Sequence, residues 1–489
     1  MKKLFWLFPI LFLIDNILGL NGYQFTVFGI GIRILLFGLS AVSLCLYCIY
    51  TMRTQKICLT KKKPGQTHFL RYCKPIDGVV AGFLCLNFLW ATVIPVMQGG
   101  SLRFAIKDFS TLLVLVLYFP CAFLIRTGEL KLRSLLKWLY PLLLILSLWH
   151  SVMYIGEILS PGFYESYYDF IDYISFGTAV RTDVVLGFGI TRIIQVTSVF
   201  LIPAMLLSLE DFTGKLRIFS FAALALNLFA VLITYTKSIW YGILAGIALA
   251  MLGILICCKD AAVRKRVLAF GGALVVLFSL FNFVCLDNTV LSRAFNVARA
   301  DSLSSLDAQI AELQQQLSQM QPDDPSDPSD PSNPNENNTA ENLAEQIEKL
   351  QHQMQDIAGT QEANAQRAQQ QEALLNKWSG SKLLGYGYGA YAEDCIRNES
   401  FPYMYENLLP AMLMKLGLVG MLGWGLFVLA LVIFAVKAMW KKPVRFWCWL
   451  GTALAYAMAV QTNPFLFTFA GISLMLYLLL YLTGTQEEC

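Results

Sequence analysis

The sequence predicts an all-α, polytopic membrane protein of about 12 transmembrane helices, with a large helical extracytoplasmic loop between spans 9 and 10. Three observations predict this class. The 489-residue chain is 56% hydrophobic and 14% charged, whereas a soluble domain usually carries about 25% charged residues. Its apolar residues form long continuous runs, and the mean hydropathy is +0.56. Its basic residues are concentrated in alternate connecting loops.

The apolar runs are long enough to cross a bilayer, because about 20 apolar residues in a helix span roughly 30 Å of hydrocarbon. Continuous runs favour helices over the alternating pattern of a β-barrel. No small-residue cleavage site follows the first run, so we interpret it as a span and not as a signal peptide. The predicted spans lie near residues 4–20, 26–50, 77–97, 108–125, 137–156, 190–208, 217–235, 239–258, 267–285, 412–436, 446–461 and 464–482.

The distribution of Lys and Arg predicts the orientation, because these residues are enriched in cytoplasmic loops. We therefore expect an inner (cytoplasmic) membrane protein with both termini in the cytoplasm. The acidic and aromatic loop 157–189 and the long segment 286–403 are expected outside. This divides the chain into a membrane domain 1–285 with spans 1–9, the loop 286–403, and a membrane domain 404–489 with spans 10–12. The basic stretches are 2–3, 53–74, 126–137, 215–217, 259–266 and 437–445.

The outer loop contains an inserted pair of heptad segments at 303–358. Apolar residues recur there at spacings of three and four, which predicts two coiled-coil helices. The sequence DDPSDPSDPSNPNENN between them cannot continue a helix, so an antiparallel hairpin is expected. Two interpretations stay open, a solvated spacer and an arm for partner binding or self-association. The apolar positions are Leu303, Leu306, Ile310, Leu313, Leu317 and Met320, then Leu343, Ile347, Leu350, Met354 and Ile357.

Several cations lie at the outer ends of predicted spans, where charge is costly and marks candidates for function. They are Arg33, Lys237 and Arg192, and Arg192 is expected to open the sixth span. Such cations suit an anionic group at the outer membrane face, such as a lipid phosphate or pyrophosphate. The alternative is snorkelling or local ion pairing, in which case Asp108 is expected to pair with Lys107.

A group of chemically capable residues follows in the site segment 367–403 and at the start of the tenth span. Arg367 is followed by a glycine-rich turn, then by Glu406 at the mouth of the span, then by a G-x-x-G break. The glycines of the turn are Gly385, Gly387 and Gly389, and those of the break are Gly417 and Gly420.

This order of features resembles the bacterial O-antigen ligase and polymerase superfamily, the polytopic enzymes that join or extend undecaprenyl-linked glycans. The stretches GITRIIQVTSVFLIPAML around Arg192 and LITYTKSIWYGILAG around Lys237 resemble the family too. The ligase branch carries a histidine where this chain has Tyr405-Glu406-Asn407, which favours the polymerase branch. Many members have an arginine in place of Lys237, and the inserted hairpin has no counterpart in the family.

The resemblance implies a glycosyltransferase that polymerises undecaprenyl-pyrophosphate-linked oligosaccharide units outside the cytoplasmic membrane, in polysaccharide biosynthesis for the cell envelope. It implies Glu406 as general base, Arg367 as a second catalytic residue, and Arg192, Lys237 and Arg33 as pyrophosphate-binding residues. No cofactor and no metal are expected, since the chain has only three histidines. Expected partners are the lipid-linked glycan, membrane lipid and assembly proteins such as a chain-length regulator, but not nucleic acid.

Three alternatives to polymerisation stay open. An O-antigen-type ligase would transfer glycan to a second acceptor and yield one capped product. A transporter or flippase for lipid-linked glycan usually shows internal repeats and midplane sites, whereas the cations here gather at the outer face. A membrane receptor with a coiled-coil arm would leave these cations and Glu406 unexplained.

Overall fold

A computed structural model gives the fold of most of the chain. The described residues are 2–18, 26–27, 30–59, 66–160, 179–185, 188–194, 196–213, 217–286, 290–291, 303–320, 334–396, 399 and 401–487. Most of the predicted outer loop 157–189, most of the Pro/Asp/Ser linker and the basic run 61–63 lie outside them.

Helices dominate the described residues, and the few strands form three two-stranded pairs, β1 with β2, β3 with β4, and β5 with β6. The strands are β1 Thr26–Val27, β2 Ile30–Gly31, β3 Ile57–Cys58, β4 Thr67–His68, β5 Ala179–Val185 and β6 Phe188–Ile194. The helices are α1 Leu7–Leu18, α2 Ile32–Thr54, α3 Pro75–Met97, α4 Leu102–Arg126, α5 Leu132–Leu159, α6 Leu201–Phe212, α7 Arg217–Leu232, α8 Lys237–Cys257, α9 Ala261–Cys285, α10 Leu303–Met320, α11 Pro334–Ser379, α12 Leu408–Met439, α13 Pro443–Ala459 and α14 Phe469–Glu487.

The predicted class, an all-α polytopic membrane protein, is confirmed. Within the described part of the chain, eight helices are long and apolar enough to cross a membrane, namely α2, α3, α4, α5, α8, α9, α12 and α14. Helix α12 shows how such a helix meets lipid, since Leu418, Leu422, Leu426 and Leu429 are 49–63% exposed along one side. The total of about 12 spans stays a prediction.

The predicted start of the sixth span is wrong. Arg192 does not open a helix but lies in β6, and helical structure begins only with the 3-10 turn Val196–Phe200. The residues around Arg192 are rich in β-branched Ile and Thr, which pack well in strands. A short apolar run of this kind does not distinguish a strand from a helix by its periodicity.

Helices α8 and α13 pack closely because glycines face each other at their crossing. A Cβ atom added to Gly246 would lie 2.4 Å from the carbonyl oxygen of Gly451, and one added to Gly451 would lie 2.4 Å from that of Gly246. Small residues allow transmembrane helices to approach in this way. The contact fixes α8, and with it Lys237 at its first position.

The chain divides into two compact units, with residues 1–179, 193–277 and 370–489 in the first and 180–192 and 278–369 in the second. The second unit contains α10 and most of α11, which include the two predicted heptad segments. Its heptad residues Ile310, Leu343 and Ile347 are buried. Helix α11 begins at Pro334, inside the predicted linker, because proline is compatible with a first helical turn. The antiparallel pairing of the two helices stays a prediction.

Candidate active site

Helix α12 is broken at Gly417, whose backbone has φ 60° and ψ −173°. In a regular helix the N–H groups of Leu418 and Val419 would bond the carbonyls four residues earlier, at Met414 and Lys415. These four groups find partners in the preceding loop instead. The break is therefore the place where that loop docks.

Four backbone hydrogen bonds join the loop to the break. Tyr386 N donates to Met414 O at 2.9 Å, and Gly387 N donates to Lys415 O at 2.8 Å. In the opposite sense, Leu418 N donates to Lys382 O at 2.9 Å and Val419 N to Leu383 O at 3.0 Å. Buried backbone groups need partners of this kind, so the loop satisfies the four groups that two missing helical hydrogen bonds leave open.

The loop makes this approach with the three glycines of the predicted turn. Gly385, Gly387 and Gly389 have φ values of 66°, 84° and 75°, a region that glycine enters without steric cost. A Cβ atom on Gly385 would lie 2.5 Å from Lys415 O, and one on Gly387 would lie 2.4 Å from Cγ of Pro95. Both the backbone conformation and the space require glycine here.

A buried ion pair lies beneath the turn. Lys415 Nζ is 2.6 Å from Asp108 Oδ2, and both side chains are 1% exposed. The same carboxylate oxygen accepts a hydrogen bond of 2.9 Å from Gly389 N. The Lys415 ammonium also lies 4.7 Å from the ring centroid of Phe467 and 5.5 Å from that of Tyr403. The pair thus connects α4, the glycine turn and α12.

The expected pairing of Asp108 with Lys107 is wrong. Neighbouring helical residues do not face each other, so Asp108 points into the protein while Lys107 is exposed. The Lys107 ammonium lies 3.9 Å from the ring centroid of Phe401. Sequence reasoning missed Lys415, although a charge inside an apolar run was a signal for it.

Two side chains of α3 complete the support of the turn. Trp90 Nε1 donates to Leu384 O at 2.8 Å and to Leu416 O at 2.9 Å, on either side of the docked backbone. Buried Asn87 accepts from the Tyr388 hydroxyl through Oδ1 at 2.5 Å. Neither role was predictable from the sequence, since both residues lie in an ordinary apolar span.

Glu406 lies on a short segment that is anchored on both sides. Before it, the Tyr405 hydroxyl accepts a hydrogen bond of 2.7 Å from Ala392 N. After it, Asn407 N donates to Gln370 Oε1 at 3.2 Å. The Glu406 side chain itself is half-buried. The anchored segment therefore holds this carboxylate in a defined position at the start of α12.

Lys237 lies near the start of α12, in the first unit. Ser238, the next residue, accepts from Asn463 Nδ2 at 2.6 Å. Two residues earlier in that loop, Gln461 O accepts from Leu408 N at 3.2 Å. One loop, 461–463, thus contacts the residue after Lys237 and the first residue of α12, two positions after Glu406.

Arg33 has a carboxylate partner of its own. Its Nε lies 2.6 Å from Asp15 Oδ2, and the two side chains are 12% and 3% exposed. Arg33 thus forms a local ion pair, which was the alternative to anion binding for the outer cations. It leaves Arg33 less suited to an anionic ligand than Lys237.

Arg192 and Arg367 belong to the second unit. Arg192 lies in β6. Arg367 lies in α11, is half-buried, and donates from Nη1 to Asn364 Oδ1 at 3.2 Å. That Arg192 and Arg367 share a pocket with Lys237 and Glu406 stays a prediction.

Comparison with known proteins gives one match. Residues 222–425 match the family model described as O-Antigen ligase. The matched range includes Lys237, Arg367, the glycine turn, Glu406 and Lys415. No curated protein and no solved structure matches the chain.

Proposed function

We propose that the chain is a polysaccharide polymerase, on the basis of the match between residues 222–425 and the family model described as O-Antigen ligase. It joins oligosaccharide repeat units carried on undecaprenyl pyrophosphate, on the outer side of the cytoplasmic membrane. The membrane-spanning helices and the family's action on lipid-linked glycans are consistent with this substrate. The proposed reaction needs neither a metal nor a cofactor.

One observation supports polymerase over ligase. The residue anchored at the mouth of α12 is a carboxylate, Glu406, and the region 367–423 contains no histidine. The three histidines of the chain are His68, His150 and His352. Glu406 is therefore the general base that this proposal assigns, in the place where the ligase branch carries a histidine.

The proposed reaction is a single glycosyl transfer. The acceptor hydroxyl oxygen forms a bond to the anomeric carbon of the donor sugar, and Glu406 takes the hydroxyl proton. The bond between that carbon and the pyrophosphate oxygen breaks, and its electron pair leaves with the pyrophosphate. A positioned base of this kind contributes about 10²–10⁴-fold to the rate.

Cations stabilise the charge that develops on the departing pyrophosphate. Arg367 and Lys237 are the principal groups of the proposal, and Arg192 adds a third. Each fixed donor in a site that excludes water stabilises the transition state by about 2.7–4 kcal/mol. Arg33 is assigned a minor part because Asp15 already neutralises its charge.

Exchange of Arg367 for lysine tests its role in phosphate binding. Arg367→Lys keeps the charge but loses the planar, bidentate donor pair, so we expect elongation to fall by roughly 10²-fold. The measurement is the rate of polymer formation by purified protein. Lys382→Arg, a charge-conserving exchange at an exposed site, is the control and should leave the rate of polymer formation unchanged. Wild-type activity of Arg367→Lys would exclude a bidentate phosphate contact.

The product distinguishes the two branches of the family. Purified full-length protein is incubated with lipid-linked oligosaccharide, and the products are separated by mass. A polymerase yields a ladder whose steps equal one repeat unit. A single product transferred to an added second acceptor, with no ladder, would establish the ligase alternative instead.

Deletion of the heptad helices tests the domain division. Removing residues 303–358, which cover α10 and the first part of α11, should leave insertion and elongation within about twofold of wild type if the hairpin is a spacer. The deletion variant is compared with wild type by membrane protein level and by chain-length distribution. Normal elongation with an altered length distribution would identify the hairpin as an arm for partner binding.

A further inference from the structure

The start of α12 lacks the local caps that usually hold a helix N-terminus. Asn407 precedes the first helical residue, Leu408, and its side chain makes no capping hydrogen bond. In a capping box, the third helical residue accepts the amide N–H of this preceding position through a Glu or Gln side chain. The third helical residue of α12 is Pro410, whose side chain has no acceptor. The Asn407 amide therefore needs a partner from elsewhere in the fold.

Gln370 of α11 is that partner. Its Oε1 accepts the hydrogen bond from Asn407 N at 3.2 Å, and the residue is only 2% exposed. Buried polar side chains are nearly always hydrogen-bonded in this way. Gln370 thus does for α12 what the third residue of a helix does in a capping box, but from 37 positions away in the sequence.

Apolar packing fixes the end of α11 that carries Gln370. Leu374 lies one turn after Gln370 on the same face of the helix. It is 0% exposed and belongs to a buried cluster with Tyr405, Ala411 and Met414. The cluster holds this end of α11 against the segment that carries Glu406, so the acceptor of Gln370 has a defined place.

Glu406 is the single residue between two anchored neighbours. Before it, the Tyr405 hydroxyl accepts from Ala392 N, and after it Gln370 holds the Asn407 amide. The place of the carboxylate is therefore determined by contacts with distant residues and not by a cap within α12. Such placement matters for catalysis, because a misplacement of about 1 Å can lower a rate by about 10²-fold.

We propose that Gln370 is a positioning residue for the general base of the proposed glycosyl transfer. It holds the Asn407 amide, and through that amide it holds Glu406 where the carboxylate takes the proton of the acceptor hydroxyl. Gln370 itself takes no proton and touches no reacting atom. This role rests on the proposed function, because Gln370 acts only through Glu406.

Exchange of Gln370 for methionine tests this role in the elongation assay with purified protein. Gln370→Met keeps the length of the side chain but removes the acceptor, so we expect kcat to fall by about 10²-fold. KM for the lipid-linked donor should stay within about twofold of wild type, because the proposed pyrophosphate-binding cations are unchanged. Gln371→Met, at the exposed neighbouring position, is the control and should match wild type.

Gln370→Glu should rescue the activity that Gln370→Met loses. The carboxylate oxygen can accept the same hydrogen bond, and negative charge is favoured at a helix N-terminus, so kcat should lie within about fivefold of wild type. Wild-type kcat in Gln370→Met, or equal losses in Gln370→Met and Gln370→Glu, would overturn the role. If Gln370→Met does not accumulate in the membrane, Gln370→Asn decides, since its shorter side chain withdraws the acceptor. A kcat equal to wild type in that variant would also overturn the role.

Combining Gln370→Met with Glu406→Gln distinguishes positioning from a general structural role. Once the base is removed its position no longer matters, so the double variant should retain the residual rate of Glu406→Gln to within about twofold. A further fall of about 10²-fold would show that Gln370 acts on more than Glu406 and would contradict the proposed role.

The same variants separate this role from the proposed function. Normal elongation in Glu406→Gln would contradict the proposed function itself. Loss of elongation in Glu406→Gln together with wild-type kcat in Gln370→Met would keep Glu406 as the base and overturn only the role of Gln370.

Discussion

A Glu406→Gln enzyme should lose polymer elongation by about 10²–10⁴-fold, because glutamine keeps the shape of the side chain but cannot accept the proton of the acceptor hydroxyl. Its abundance and membrane insertion should match wild type, since the anchors on either side of Glu406 use Tyr405 and the backbone of Asn407. The measurement is the ladder of repeat units made from lipid-linked oligosaccharide.

The control for this variant is Glu393→Gln. Glu393 is an exposed carboxylate in the same loop, so its exchange removes the same charge at a position without a proposed role. Chain lengths should stay normal in this control. Normal chain lengths in Glu406→Gln as well would remove Glu406 from the mechanism and weaken the polymerase assignment with it.

Breaking the ion pair beneath the glycine turn should give the largest loss of stability. Lys415→Met leaves the Asp108 carboxylate buried without its counter-charge, which typically costs about 3–5 kcal/mol. The glycine turn should loosen too, since the same carboxylate holds Gly389 N. Thermal unfolding of the purified protein and its elongation rate should both fall.

A double variant separates the cost of a buried unpaired charge from the positioning of the glycine turn. Asp108→Leu/Lys415→Met removes both charges, and replacing a whole buried pair by apolar residues is often neutral for stability. We expect the unfolding temperature to recover while elongation stays low, because Gly389 N has lost its acceptor. Lys437→Met, an exposed lysine of the same helix, is the control. Full recovery of elongation would limit the pair to a role in stability.

The fold class was predictable because length and continuity of apolar runs reflect the bilayer directly. A break at Gly417 was expected from the G-x-x-G pattern that resembles the family, and glycine can adopt the positive φ of this break without steric cost. Gly420, expected to share the break, is helical and packs against Trp90 and Leu416. The local sequence thus located the break to within one helical turn.

The partners across the break were not predictable from one sequence. Lys415 pairs with Asp108 across 307 positions and Trp90 bonds Leu416 across 326. Such pairs depend on which helices become neighbours. The periodicity of a helix does not indicate which other helix packs against it. The nearest charge in sequence, Lys107, therefore gave the wrong partner for Asp108.

The break in α12 also has a consequence for biogenesis. Its orphaned amides and carbonyls are paired by residues 382–387, and in hydrocarbon each group left alone would cost several kcal/mol. A translocation machinery that released this segment into lipid before residues 382–387 had arrived would release it with those groups bare. We therefore expect residues 382–387 to dock on α12 as that helix enters the membrane.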